Sequence, residues 1–183
     1  EDKIFEDVDA AFFDVENDGD LDLLVVTGGN EFDKNSPNEL SRIYLNDGKG
    51  SFEKANDMLP NLYETGSVVA VHDVNNDGFL DIFIGRVAGP WHYGRSPKSH
   101  LLLNNAGQKF EVTKIGDAHF LEGGMIKDAL WADIDNNGEK DLILAAMWQP
   151  IKVCFANEGL LASPVSISED QGWWQTVKAL DYD

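Results

Sequence analysis

The chain has 183 residues, 33 acidic and 14 basic, and a net charge of −19. Such a surface makes nucleic acid and anionic membrane poor partners, and no apolar run is long enough to span a bilayer. The single cysteine, Cys154, excludes an internal disulfide framework and reads as a small buried hydrophobe in a strand.

From the N-terminus, an apolar run Asp9-Ala-Ala-Phe-Phe13 leads into Asp14-Val-Glu16-Asn-Asp18-Gly19-Asp20-Leu-Asp22, and a second run continues to Val26. A long polar stretch, Gly28–Ser41, precedes Arg42-Ile-Tyr-Leu-Asn46-Asp-Gly48-Lys-Gly50-Ser-Phe52. The same order then recurs. Ser67-Val-Val-Ala-Val-His72 leads into Asp73-Val-Asn75-Asn-Asp77-Gly78-Phe79-Leu-Asp81, an apolar run to Gly85, the stretch Gly85–Ser99, and His100-Leu-Leu-Leu-Asn104-Asn-Ala-Gly107-Gln-Lys-Phe110. A third copy runs Ala129-Leu-Trp-Ala132, then Asp133-Ile-Asp135-Asn-Asn137-Gly138-Glu139-Lys-Asp141, an apolar run to Ala146, and a shorter Lys152-Val-Cys-Phe-Ala-Asn157-Glu-Gly159. Trp174-Gln-Thr-Val-Lys-Ala-Leu-Asp181-Tyr-Asp183 opens a fourth unit that stops inside its own motif. The short apolar runs read as strands covered on both faces. Asn-Asp-Gly and Asn-Asn-Ala-Gly read as tight hairpins, because Asn and Gly tolerate positive φ.

Each unit is thus four strands, and the motif starts lie 59 and 60 residues apart (14 to 73, 73 to 133). Four-stranded repeats at such a period predict an all-β fold: four-stranded antiparallel blades of a β-propeller. About three blades are present, over residues 1–65, 66–126 and 127–173, with 174–183 the first strand of a fourth; together they form one domain. Closed propellers have roughly 4–8 blades, so the open edges call for further blades or another copy of the chain. No signal peptide opens the sequence, as in a processed or excised segment.

The nine-residue loops read D-x-[DNE]-x-[DN]-G-x-x-D. Oxygen side chains at positions 1, 3, 5 and 9, with the position-7 carbonyl, suit a hard cation that takes 6–8 oxygens at about 2.3–2.6 Å. The expected ligands are Asp14, Glu16, Asp18 and Asp22; Asp73, Asn75, Asp77 and Asp81; Asp133, Asp135, Asn137 and Asp141. Asp20, Phe79 and Glu139 would contribute carbonyls, since a Phe side chain cannot ligate. About three structural Ca²⁺ ions follow, offsetting six of the negative charges. An EF-hand needs a bidentate Glu at position 12; here that position holds Val25, Ile84 and Leu144. Calcium-dependent repeat modules work where calcium is plentiful, with affinities of order 10⁻⁴–10⁻³ M, which places the chain outside the cytoplasm.

These loops, each between apolar strands and followed by an Asn-Asp-Gly-type hairpin, resemble the FG-GAP/VCBS repeats that build the calcium-binding propeller blades of integrin α-chains and many bacterial surface proteins. The segment Ala146-Met-Trp148-Gln-Pro150 is also similar to a Trp-x-Pro element of bacterial relatives of cartilage acidic protein. The resemblance implies a calcium-stabilised binding or adhesion module at an extracellular, cell-surface or periplasmic location.

By this topology the calcium loops and the tight hairpins share one end of each blade, and the longer connections gather at the other. These are Gly28–Ser41, Gly85–Ser99, Asn56–Thr65, Lys114–Lys127 and Ser163–Gln175. Long loops on one rigid face carry binding residues. The richest groups Arg86, Trp91, His92, Tyr93, Arg95 and Lys98, with Trp148 close to the same end. Aromatic faces suit sugar rings and Arg suits carboxylates, so a protein or a carbohydrate ligand is expected there. Packing of the aromatics between blades, with Arg86 and Arg95 paired to the acidic excess, is the competing reading. Trp131 reads as core, Trp173 and Trp174 as strand-end residues on the long-loop side, and His72 as a strand residue beside a calcium loop. No nucleophile elbow, phosphate loop, dinucleotide fingerprint or H-E-x-x-H motif is present; the alternatives to adhesion are glycan binding or part of a propeller-type polysaccharide-active enzyme.

Formal ligand charge is −4 in the first loop and −3 in the other two, which ranks the first tightest at equal rigidity. Asp14→Ala is therefore expected to cost more stability in saturating calcium than Asp73→Ala. Paired thermal melts check it, and equal or reversed losses refute the ranking.

Overall fold

The computed structural model describes residues 4–29, 36–63, 65–87, 97–113 and 124–181. Blade 1 is a sheet of β1 (Asp7–Phe13), β2 (Asp22–Thr27), β3 (Arg42–Asn46) and β4 (Phe52–Ala55), all antiparallel and in chain order. Blade 2 repeats the plan with β5 (Val68–His72), β6 (Asp81–Gly85), β7 (His100–Asn105) and β8 (Lys109–Val112). A 3₁₀ turn, Pro37–Glu39, interrupts the long loop between β2 and β3, and the Ser36 hydroxyl caps it by accepting the Asn38 N–H at 3.3 Å. Among the described residues no helix is long and apolar enough to cross a membrane.

The third blade departs from the pattern. Its β9 (Met125–Ala132) pairs with a nine-residue β10 (Asp141–Gln149), and only Pro150 and Ile151 separate β10 from β11 (Lys152–Cys154). The following hairpin is a separate pair, β12 (Ala156–Asn157) with β13 (Leu160–Leu161). The stretch expected to be a loop, Ser163–Gln175, instead contains β14 (Val165–Ser166) and β15 (Gly172–Trp173). β14 pairs with β11, and β15 pairs with the far end of β10 through Met147↔Trp173 and Gln149↔Gly172. The reason is positional: β11 is only three residues long, so the prolonged β10 would otherwise present unpaired N–H and C=O groups beyond it.

The sheets stack face to face, and their shared sides are the core. Ile82, Ile84, Leu102 and Phe110 of blade 2 pack with Leu24, Val26 and Ile43 of blade 1. Phe83 and Leu101, pointing to the opposite face, pack with Leu142, Leu144, Ala146 and Ile126 of blade 3. Successive strand residues point to opposite faces, so a strand sandwiched between two blades is apolar at consecutive positions. That is why β6 is buried at all five residues. Cys154 lies in the second of these clusters, and burial pushes its thiol up to about 12, leaving it an inert apolar group. Trp131 packs against the same cluster and stacks on His72 with ring centroids 5.2 Å apart.

The joints between blades repeat in register. Gly66 donates to the Thr27 carbonyl at 2.8 Å, and Ile126 donates to the Arg86 carbonyl at 2.8 Å. Both bonds run from seven residues before one motif to thirteen residues after the start of the preceding one (66 and 73, 27 and 14; 126 and 133, 86 and 73). Nearby, Asp9 accepts the Val69 N–H at 2.8 Å. Asp128, five residues before its own motif as Asp9 is, accepts the Val177 N–H at 2.9 Å and the Thr176 hydroxyl at 2.7 Å. Residues 174–181, expected as the first strand of a fourth unit, form no strand, although Val177 meets Asp128 as Val69 meets Asp9.

Candidate functional site

All three acidic loops fold by one local scheme. The first-position aspartate accepts two amides: Asp14 from Asp18 at 3.1 Å and Gly19 at 2.9 Å, Asp73 from Asp77 and Gly78 at the same distances, and Asp133 from Asn137 at 3.2 Å and Gly138 at 2.9 Å. The fifth-position side chain accepts the amide two residues on: Asp18 from Asp20, Asp77 from Phe79, and Asn137 from Glu139. These are Asx turns, which short polar side chains form readily. The turn demands left-handed backbone at two positions. Gly19, Gly78 and Gly138 have φ of 96°, 92° and 91°. A Cβ at any of them would meet nothing within 4 Å, so glycine is required there for its conformation, not for space.

The second left-handed position is the fourth, occupied by Asn17, Asn76 and Asn136 at φ 57°, 57° and 59°. The motif as read from the sequence leaves that position open. The signal was available, since all three copies carry Asn there and Asn tolerates this region better than most residues. Asn17 also reaches across the blade boundary, donating its side-chain amide to the Gly78 carbonyl at 2.8 Å.

The ninth-position aspartates are the best-held carboxylates of the loops. Asp22, Asp81 and Asp141 are 1%, 0% and 0% exposed. One oxygen of each accepts the second-position amide (Val15, Val74, Ile134) at 2.8–2.9 Å, and the other accepts an amide of the third-strand region (Asn46, Asn104, Ala156) at 2.8 Å. Each carboxylate thus ties its own loop to a strand 15–24 residues further on. A carboxylate oxygen that accepts one amide keeps a second lone pair for a cation.

The donor set of the loops is all oxygen. Asp133, Asp135 and Asp141 each offer an oxygen within 4.8 Å of the others. Oxygens around one Ca²⁺ at about 2.4 Å are separated by no more than about twice that distance, so this trio fits the ion. In the second loop the third position is Asn75, which supplies a carbonyl oxygen in place of a carboxylate. Of the seventh-position side chains, Asp20 lies against Gly48, and Glu139 accepts the Gly159 amide at 3.2 Å. Crowding leaves its mark on the carboxyls. Partial burial, then Asp18, Asp22 and Asp14, push Glu16 up from the ordinary range, and partial burial with Asp18 and Asp14 does the same for Asp20. Burial pushes Asp81 up to about 6, against the two amide bonds that pull it down.

Hairpin and loop from adjacent blades meet at this end. A Cβ on Gly107 would come within 2.8 Å of the Glu16 Cα, and one on Gly159 within 3.6 Å of the Asn75 Cα. Asn104 donates its side-chain amide to the Val15 carbonyl of the preceding blade at 2.8 Å.

At the opposite end, Arg86 is buried, its guanidinium donating to the Thr65 carbonyl at 3.0 Å and the Lys98 carbonyl at 3.1 Å. It anchors two connections from inside and is not an exposed contact residue. Trp148 is half exposed in a left-handed conformation, φ 55°, with Trp173 edge-on at 5.1 Å. Trp174 donates its indole N–H to the Gln149 carbonyl at 2.8 Å. Trp91, His92, Tyr93 and Arg95 lie outside the described residues. Sequence reasoning passed over Glu39, which is fully buried beside Arg86. Burial pushes its carboxyl up, and the charge of Arg86 partly reverses that shift.

Three comparisons bear on these elements. Residues 14–84 match the FG-GAP-like repeat. No curated protein is significantly similar to the chain. Among solved structures, one described as an Agrocybe aegerita lectin specifically recognising non-reducing terminal N-acetylglucosamine superposes with a TM-score of 0.55 at 23% identity. The match covers 88% of this chain but 38% of that one, and likeness at this identity is likeness of fold.

Two outcomes follow from the site. Asp141→Ala strands two buried amides at about 1–3 kcal/mol each, so it is expected to destabilise the chain even in EDTA, where Asp133→Ala costs less; urea denaturation reads both. Glu39, with its carboxyl raised on folding, favours the folded state fully below the ordinary carboxyl range and loses that contribution as pH rises through the raised value. Glu39→Gln should therefore raise the melting temperature relative to wild type at pH 8, with the difference shrinking towards pH 4.

Proposed function

We propose that this chain, whose residues 14–84 belong to the FG-GAP-like repeat family, is a calcium-stabilised binding or adhesion module that works outside the cytoplasm. The observation that carries the reading is the loop geometry: three copies of one oxygen-only turn, with Asp133, Asp135 and Asp141 already gathered within 4.8 Å. Calcium here is structural. It neutralises carboxylates crowded at the ends of β1, β5 and β9 and pins loops that the neighbouring blade's hairpin packs against. Ligand recognition falls to the opposite end, where the long connections leave the sheets, because rigid strands hold those loops in fixed relation.

Carbohydrate is the second reading for that face. The half-exposed Trp148–Trp173 pair favours it, since an exposed aromatic face stacks on the apolar side of a sugar ring. The lectin of similar fold recognises N-acetylglucosamine by its own description. A polysaccharide-active enzyme is supported less: carboxylates committed to a cation stay ionised and make poor proton shuttles, and fold alone licenses no activity.

A melt in EDTA against one in millimolar calcium tests the central claim, with calorimetry to count sites. An ion bound only by the folded state with Kd of order 10⁻⁴–10⁻³ M stabilises it by about 0.4–1.4 kcal/mol per site at 1 mM. About three sites and a rise of several degrees are expected; no shift refutes structural calcium. Binding of N-acetylglucosamine-terminated glycans on an array, lost in Trp148→Ala, would favour the carbohydrate reading over protein adhesion.

A further inference from the structure

The pocket between blades 1 and 2 at the long-loop end contains a buried carboxyl group. Glu39 is 1% exposed, and among the described residues neither of its carboxyl oxygens has a hydrogen-bond partner. Burying a polar group without a partner is costly, and a charged one more so. Arg86 lines the same pocket and donates to the Thr65 and Lys98 carbonyls. Its charge partly offsets the upward push that burial gives the Glu39 carboxyl. The remaining walls come from Leu40, Leu59, Leu62 and Ile84 together with the polar Ser41 and His100, and Tyr63 stands among them in a left-handed conformation, φ 46°. A bulky residue in that region stores strain, which persists at ligand clamps more than elsewhere.

Size and charge narrow the occupant. The cavity is about 20 Å³, room for one water-sized group. A pyranose ring or a guanidinium does not fit at its base. The group must offer at least two donors to reach both orphan oxygens, which rules out a quaternary ammonium. It must be joined to a stem that tolerates aliphatic and aromatic walls. A positively charged group suits the carboxyl and the chain's net charge of −19.

We propose that this pocket binds a primary alkylammonium group, its nitrogen seated on the Glu39 carboxylate and its stem against Leu59, Leu62 and Tyr63. The inference rests on the reading of the long-loop face as the recognition surface and names a ligand group for it. A free small amine and the side chain of a lysine on a partner protein present the same chemistry.

The test is a titration of the calcium-loaded chain, followed by amide chemical shifts, with n-butylammonium chloride, n-butanol, tetramethylammonium chloride and the peptide acetyl-Gly-Lys-Gly-amide. Saturable shifts around residues 39 and 63 with n-butylammonium, absent with n-butanol and tetramethylammonium, are expected. Glu39→Gln should weaken that binding at least tenfold. Leu62→Trp, which fills the pocket and keeps the carboxylate, should abolish it; melting curves of both variants establish that they are folded. Binding of the peptide as well identifies a lysine side chain as the ligand; binding of n-butylammonium alone identifies a free amine. Equal binding of n-butanol, or no shift with any amine, overturns the proposal. Calcium-dependent melting of the same samples separates the two readings. A preserved calcium response without amine binding removes only the pocket proposal, and a lost one removes structural calcium.

Discussion

Asp22, Asp81 and Asp141 each accept two backbone amides in a dry interior, one from the start of their own loop and one from a residue at or just after the third strand of the sheet. Everything at the acidic-loop end depends on this pair of hydrogen bonds. It closes the nine-residue turn, fixes where β3 and β7 leave off and the hairpins begin, and holds the remaining loop carboxylates near one another. Hydrogen bonds to a charged acceptor are stronger than neutral ones, and here both lone amides would otherwise be stranded in the core. The ion would complete a turn that the backbone has largely shaped.

The blades in turn make each other's cores. A four-stranded sheet alone cannot cover its two faces, and β6 shows the consequence, with Ile82 and Ile84 serving one neighbour and Phe83 the other. The joints between blades are polar and repeated, Asp9 with Val69 and Asp128 with Val177. They set the order in which first strands line up. Loops at both ends inherit their positions from that stacking. Glu16 meets Gly107, and Glu39 comes beside Arg86, only because blade 2 is where it is.

The two ends of the stack differ in kind. At one, short loops of acidic and amide side chains are self-supporting and alike in each copy. At the other, the connections differ in length and content from blade to blade, from the 3₁₀ turn after β2 to the two residues that join β10 and β11. Uniformity suits a structural role. The Glu39 carboxyl, without a hydrogen bond among the described residues, and the paired rings of Trp148 and Trp173 both stand at the variable end.

The sequence by itself determined the local chemistry: the two four-stranded antiparallel sheets of blades 1 and 2, the three acidic turns and the hairpins after them. These are written in nearby residues, because Gly19, Gly78 and Gly138 must supply positive φ and an acidic side chain can bond only amides within its reach. Tertiary structure alone decided the rest. Arg86 looked like a surface cation in a polar loop and is buried, since its guanidinium is enclosed by two connections that converge only after folding. Ser163–Gln175 looked like a connection and supplies two short strands, because the edges of β10 and β11 are open there. Glu39 sits in an unremarkable polar stretch, and no local pattern marks it. Its burial comes from the packing of a neighbouring blade some forty-five residues away (39 to 84), and contacts of that range leave no periodicity or spacing in the sequence to read.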